Sequence, residues 1–266
     1  MLNRLLSVNL SMLMALAAIL GLAIGSFLNV LIYRIPLMLE EELHEGFSRF
    51  NLAFPGSHCP KCKYPIPWFH NIPLVSYIVL RSKCSNCRSK ISLRYPLVEL
   101  ISCLTTLVVF SCFGIGIKTI LLLILTWGLI CIVFIDLDHK IIPDSLSLSL
   151  LWLGLLLNAS PQGLVPLSAA VIGAAVGYLS LFCLAKIFKI IRKIDGMGNG
   201  DFKLLALFGA WFGWQVLPTI ILFSSLAGTI VGIYLVVTKK MRFTEPLPFG
   251  PYLALAGWLN LFFSGY

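Results

Sequence analysis

Apolar residues fill this chain in long uninterrupted runs, without the alternation of half-buried strands or the one-sided stripe of surface helices. Eight runs predict helices, at about 8–33, 95–113, 118–137, 144–158, 164–190, 201–214, 216–238 and 249–264. A helix that is hydrophobic all round must lie in apolar surroundings, and roughly 20 residues cross a bilayer. The fourth, sixth and eighth runs are short for that crossing, so their ends are soft. The first run, about 26 residues long, exceeds a signal-peptide core and reads as a retained helix. One large polar segment, 34–94, interrupts the series. The pattern predicts an all-α fold, a polytopic membrane bundle of about eight transmembrane helices. Its parts are a first helix at 1–33, a polar insertion at 34–94 and a helical core at 95–266.

Composition agrees. Hydrophobic residues make up 59% of the chain and charged residues only 12%, against roughly 25% charged in a soluble domain. The net charge of +9 would suit a nucleic-acid partner if it were clustered on a folded surface. It is instead spread between the apolar runs. The segments 34–94, 138–142, 190–203 and 239–247, with Lys186 and Lys189, hold 18 of the 20 Lys and Arg residues. By the positive-inside rule these segments are cytoplasmic, both termini lie outside, and nucleic acid is excluded in favour of membrane lipid.

Four small-xxx-small pairs, Gly21/Gly25, Gly173/Gly177, Gly209/Gly213 and Gly228/Gly232, predict close helix packing within one bundle. Packing is favoured over homodimerisation for most of them, and the oligomeric state stays open.

The insertion carries the clearest metal signature. Cys59-Pro-Lys-Cys62 and Cys84-Ser-Asn-Cys87 are two C-x-x-C pairs separated by 21 residues. That spacing predicts a structural zinc ribbon with Cys59, Cys62, Cys84 and Cys87 as its four thiolate ligands. A redox role is the alternative, although a cytoplasmic site keeps thiols reduced. His58 reads as a surface residue beside a complete quartet. Cys103, Cys112, Cys131 and Cys183 stand singly in apolar runs and read as buried small hydrophobes.

Two aspartates stand where lipid should not tolerate them. Asp136 closes one apolar run and Asp201 opens another, just after Gly198-Asn-Gly200. A carboxylate at membrane depth is costly and is by default a functional residue. Both fall at the cytoplasmic ends of their helices. Two facing carboxylates cannot both ionise easily, so one would keep a proton and polarise a carbonyl while the other activates water. An inter-helix hydrogen-bonded pair or a proton-coupled transport site would use the same residues. Asp144, after Pro143, reads as a helix N-cap. Asp138 and Asp195 read as solvated.

With these residues in view the chain resembles the type IV prepilin peptidases, bacterial inner-membrane aspartic proteases that also N-methylate their product. The resemblance covers nearly the whole chain. It runs through Gly25-Ser-Phe-Leu-Asn-Val-Leu-Ile-Tyr-Arg-Ile-Pro36, both cysteine pairs, Asn71-Ile-Pro-Leu74 and Arg94-Tyr-Pro-Leu-Val-Glu99. It continues through Asp136 to Pro143-Asp144, Gly198-Asn-Gly-Asp-Phe-Lys-Leu-Leu205 and Pro248-Phe-Gly-Pro251. The resemblance implies that Asp136 and Asp201 are the catalytic pair and that 95–266 is the peptidase core. It implies prepilin and pseudopilin substrates, cut on the cytoplasmic side before their hydrophobic helix. The new N-terminus would be methylated from S-adenosylmethionine. No Gly-rich Rossmann signature marks residues for that donor. The family usually has Gly where this chain has Ser82, and commonly Gly at Lys63, so methylation is expected to be weaker than cleavage. A proton-coupled transporter and a non-enzymatic zinc scaffold for a secretion assembly are the rival readings.

Overall fold

Each of the eight apolar runs forms a helix in the computed structural model of the protein. The structure describes residues 2–43, 51–54, 56–193, 197–240, 242 and 247–263, with first-helix side chains from residue 10 to residue 40. Asp195 lies outside the described residues. The helices are α1 (Leu2–Leu43), α2 (Val75–Val79), α3 (Arg94–Phe113), α4 (Ile117–His139), α5 (Asp144–Ala159), α6 (Leu167–Arg192), α7 (Asn199–Phe212), α8 (Leu217–Val237) and α9 (Gly250–Phe263). Five helical segments are long and apolar enough to cross a membrane: Leu10–Glu40, Arg94–Phe113, Ile117–His139, Leu167–Arg192 and Trp214–Val237. The protein is therefore multi-pass. Among the described residues there is no strand, only two isolated bridges in the insertion.

Helix α1 continues ten residues beyond its expected end at 33 and carries Pro36 inside it. The expectation ended the helix where the apolar run gives way to Arg34 and the polar segment after it. The Leu, Met and Glu residues that follow are strong helix formers and carry the helix on.

The chain divides into two compact units, residues 1–131 and 132–266, with the division inside α4. In the first, α1 lies against α3 with almost no side chain between them. A Cβ at Gly21 would sit 2.7 Å from the Cys103 Cα, and one at Gly25 would sit 2.6 Å from the Glu99 Cα. This close approach lets Ser102 Oγ donate to the Gly21 carbonyl at 2.7 Å and Asn29 Nδ2 donate to the Tyr95 carbonyl at 3.1 Å. The insertion is tied to the same helix, because the Leu74 N–H donates to Glu99 Oε2 at 2.8 Å.

In the second unit α7 is enclosed on every side. All residues from Leu204 to Phe212 are buried, as an all-round apolar helix requires. Gly173 and Gly209 bring the backbones of α6 and α7 into direct contact, and a Cβ at Gly177 would lie 2.8 Å from the Leu205 carbonyl oxygen. The Trp211 ring covers Gly154 of α5 and its Nε1 donates to the Leu150 carbonyl at 2.8 Å. Asn158 closes the far end of α7. Its Nδ2 donates to the Ala210 and Trp211 carbonyls at 2.8 and 3.0 Å, and its Oδ1 accepts from the Leu164 and Val165 N–H groups. Carbonyls orphaned at a helix end are thereby satisfied without water.

The glycine pairs thus separate. Gly21/Gly25 and Gly173/Gly177 pack helices as expected. Gly209 and Gly213 both meet Gly173 of α6, a Cβ there falling 2.8 Å from the Gly213 carbonyl carbon, and Gly213, at φ 80°, also terminates α7. Gly228 and Gly232 meet the Tyr252 and Leu247 side chains only at ordinary distances, 3.4 and 3.7 Å.

Gly209→Ala places a methyl group into the Gly173 backbone, which cannot rotate away. It is expected to destabilise the protein by about 1–3 kcal/mol. Thermal unfolding of the purified protein in detergent checks this; an unchanged midpoint would show that α6 and α7 can part.

Candidate functional site

The two cysteine pairs fold into equivalent knuckles. In the first, the Cys59 N–H donates to the Tyr64 carbonyl and the Lys63 N–H to the Cys59 carbonyl, both at 2.9 Å. In the second, Cys84 bonds Ser89 at 2.9 Å and Arg88 bonds Cys84 at 3.0 Å in the same register. Each turn closes through a left-handed residue after its second cysteine, Lys63 at φ 58° and Arg88 at φ 56°. The four Sγ atoms lie within 4.8 Å of one another. Cys59 and Cys87 are 3.8 Å apart and Cys62 and Cys84 4.0 Å. Four sulfurs about 2.3 Å from a tetrahedral ion stand about 3.8 Å apart, whereas a disulfide requires about 2 Å. The Cys62 backbone N–H helps hold the Cys59 thiol below its ordinary range, at about 6, so it is readily a thiolate. The quartet could hold one metal ion. His58 is half-buried, hydrogen-bonded to the Gly56 carbonyl at 2.9 Å, and outside the quartet.

Of the single cysteines, Cys103 and Cys131 are buried as expected, but Cys112 and Cys183 are exposed. They lie on α3 and α6, where the surface of a membrane helix can face lipid, and a small apolar thiol is tolerated there too.

Ser82 adopts φ 57°, with its N–H donating to the Tyr77 carbonyl and its carbonyl accepting from Ile91, at 2.9 and 2.8 Å. The left-handed turn that glycine would make is made by serine, at a cost of roughly 1–2 kcal/mol.

The aspartates sort by burial. Asp136, in the last turn of α4, is only 5% exposed, and Asp201, in the first turn of α7, only 8%. They lie near enough for each to feel the other's charge. The Gly198 backbone amide faces the Asp201 carboxyl group and that of Gly250 faces Asp136. Asp136 Oδ2 is buried and has no hydrogen-bond partner. A buried acceptor without a partner is costly, and a fold that keeps one has a reason for it. Asp138 is exposed.

Asp144 does not cap α5. The N-cap is Pro143, no side chain caps the helix, and Asp144 is exposed in the first turn. Its carboxylate is held instead by Lys203, Nζ to Oδ1 at 2.6 Å and to Oδ2 at 2.7 Å. The lysine draws the side chain away from the helix N–H groups and fixes α5 to α7 two residues beyond Asp201.

Gly250 and Ile142 join this site without having been singled out as site residues in the sequence. A Cβ at Gly250 would lie 2.6 Å from Asp136 Oδ2. The run Pro248-Phe-Gly-Pro251 is conspicuous, yet no spacing rule connects residue 250 to residue 136.

These features define a multi-pass helical membrane protein with a buried carboxylate pair and a four-cysteine knuckle module. Two family models match it, the bacterial peptidase A24 N-terminal domain over residues 19–113 and the type IV leader peptidase family over residues 123–233. The chain is 48% identical over 261 residues to a prepilin leader peptidase/N-methyltransferase of Aeromonas salmonicida (strain A449), covering 93% of this chain and 89% of the relative. It is 47% identical to the protein so named from Pseudomonas putida, covering 92% and 88%, and 47% identical to that of Neisseria gonorrhoeae, also covering 92% and 88%. No solved structure matches. The chain belongs to the type IV leader peptidase family.

Purified without chelators, the protein is expected to carry about one tetrahedrally bound metal ion per chain. Serine at Cys59, Cys62, Cys84 or Cys87 should remove the ion and unfold the insertion, since metal binding and folding of so small a module are coupled. Metal analysis below about half an equivalent would count against the site.

Proposed function

We propose that this chain is a membrane aspartic endopeptidase that removes the leader peptide from type IV prepilins and pseudopilins and then N-methylates the new N-terminal residue. Asp136 and Asp201 are its catalytic pair. The observation that carries the reading is the burial of two interacting carboxylates at the ends of α4 and α7, in a chain of this family. Cleavage takes place on the cytoplasmic side of the bacterial inner membrane, which is supported by 18 of 20 basic residues falling on the side of those helix ends.

The chemistry follows from low dielectric. Two charges close together and out of water repel strongly, so the pair holds one proton between them. The ionised carboxylate takes a proton from a water molecule, and the protonated one donates to the scissile carbonyl oxygen as the water attacks. Collapse of the tetrahedral intermediate breaks the C–N bond and passes a proton to the leaving amine. The unpartnered Asp136 Oδ2 is suited to hold that water. The product's free amine is the group methylated next.

Zinc is the ion that suits the insertion, and Cys59, Cys62, Cys84 and Cys87 would hold it. Four thiolates would fill its coordination, so its contribution would be structural. S-adenosylmethionine supplies the methyl group. A cavity of about 570 Å³ beside Asp201 is lined by Tyr178, Phe182 and Phe202, but also by Lys186, Lys189 and Lys203. Lys186 and Lys189 there would repel a sulfonium, and no residue of this chain is assigned to the donor.

Asp136→Asn and Asp201→Asn should each lower prepilin-peptide cleavage at least about a thousandfold while leaving membrane insertion intact. Asp144→Asn, which loses only an exposed ion pair, should stay within about threefold. Near wild-type cleavage by either of the first two variants would end the catalytic-pair reading.

Ser82→Gly removes the left-handed strain in the insertion and is expected to raise N-methylation without altering the cleavage rate. Mass spectrometry of processed pilin checks this. Complete methylation by the wild-type chain, unchanged in the variant, would make Ser82 a neutral substitution.

A further inference from the structure

Two glycines flank the carboxylates, and both are closed against one side chain. A Cβ at Gly200, the residue before Asp201, would lie 2.7 Å from the Cβ of Ile142 and 3.3 Å from its Cδ1. A Cβ at Gly250 would lie 3.0 Å from the same Cδ1, besides its 2.6 Å approach to Asp136 Oδ2. The isoleucine therefore bridges the first turn of α7, which carries Asp201, and the first turn of α9, which rests on Asp136. Three segments far apart in sequence meet at one methyl group.

The backbone around Ile142 is fixed on both sides. Helix α4 ends in a left-handed residue, Lys140 at φ 57°, whose N–H donates to the Asp136 carbonyl at 2.9 Å. Pro143 starts α5, its carbonyl accepting from Leu146 and Ser147 at 3.2 and 3.0 Å. A residue before proline is confined to extended backbone. Of the two residues between these anchors, Ile141 is exposed and Ile142 half-buried. Ile142 has one strongly restricted χ1, because it is β-branched. It is a stiff apolar body on a short tether, aimed between the helices that bear the site.

We infer that Ile142 is a positioning residue, an apolar spacer that sets the separation of the Asp136 and Asp201 carboxylates by filling the gap between Gly200 and Gly250. The inference rests on the reading of these aspartates as the catalytic pair. Glycine at 200 and at 250 follows from it, since each position meets the spacer and a larger residue would push one carboxylate away from the other. Ile142 touches no reacting atom and acts only through the two carboxylates.

Steady-state cleavage of a prepilin peptide by the full-length protein tests this, with Ile142→Val, Ile142→Ala, Ile141→Ala and Asp136→Asn compared in one assay and thermal unfolding recorded for each. Misplacing a catalytic group by about 1 Å can cost a hundredfold, so Ile142→Ala should lose about tenfold or more in kcat. Its KM should stay within about twofold, because the loss is not one of uniform binding. Valine keeps the branch and loses only Cδ1, so its kcat should fall between, about threefold below wild type, and Ile141→Ala should match wild type. A kcat for Ile142→Ala within twofold of wild type overturns the spacer, as does a loss confined to KM. So does a loss that vanishes when rates are taken per folded molecule. If the alanine variant does not fold, the valine variant decides: a reduced kcat supports the spacer and a wild-type kcat overturns it. Activity retained by Asp136→Asn would instead overturn the catalytic pair, so the two failures are distinct.

Discussion

A carboxylate taken out of water without a full set of partners is the most expensive thing in this fold, and the second unit is arranged around two of them. An isolated charge facing lipid would cost several kcal/mol. Neither Asp136 nor Asp201 faces lipid, since both are buried among the helices. Asp201 lies in the first turn of α7, where unpaired backbone N–H groups favour negative charge. Asp136 lies against the start of α9, whose Gly250 offers it a backbone amide. The fold does not remove the cost completely, as the unpartnered Asp136 Oδ2 attests. On the proposed reading, that residual cost is what the pair puts to chemical use.

The helices were legible in the sequence because lipid leaves a chain few options. Uninterrupted apolar runs cannot be strands with unpaired edges or loops with unpaired amides, so α3 to α9 fall close to their expected bounds. The burial of Asp136 and Asp201 was legible for the same reason, as was the cysteine quartet, whose spacing is local. Three things were not. Helix α1 overran Pro36 because a single breaker loses to the helix formers after it. Asp144 looked like a cap because capping is a local signal, whereas Lys203, fifty-nine residues away, holds it instead. Gly250 and Ile142 are site residues only through tertiary contact, and no periodicity or motif spacing reports on that.

The insertion solves a different problem from the bundle. Among its described residues it has little apolar core, and Trp68, Ile78 and Val79 are exposed. Two knuckles with the same hydrogen-bond pattern and a quartet of sulfurs take the place of that core, and the Leu74–Glu99 hydrogen bond anchors the module to α3. The left-handed residues Lys63, Ser82 and Arg88 are part of this economy. A metal bound by such a quartet would let the module carry backbone strain that side-chain packing alone could not.

The backbone contact between α6 and α7 at Gly173 and Gly209 has a mechanical meaning. Side-chain interfaces can slip by rotamer changes, but two backbones in contact have no rotamers to change, and packed interiors transmit displacement rather than absorb it. The two helices therefore form a single lever. A tilt of α6 is thus passed on to the first turn of α7, and with it to Asp201.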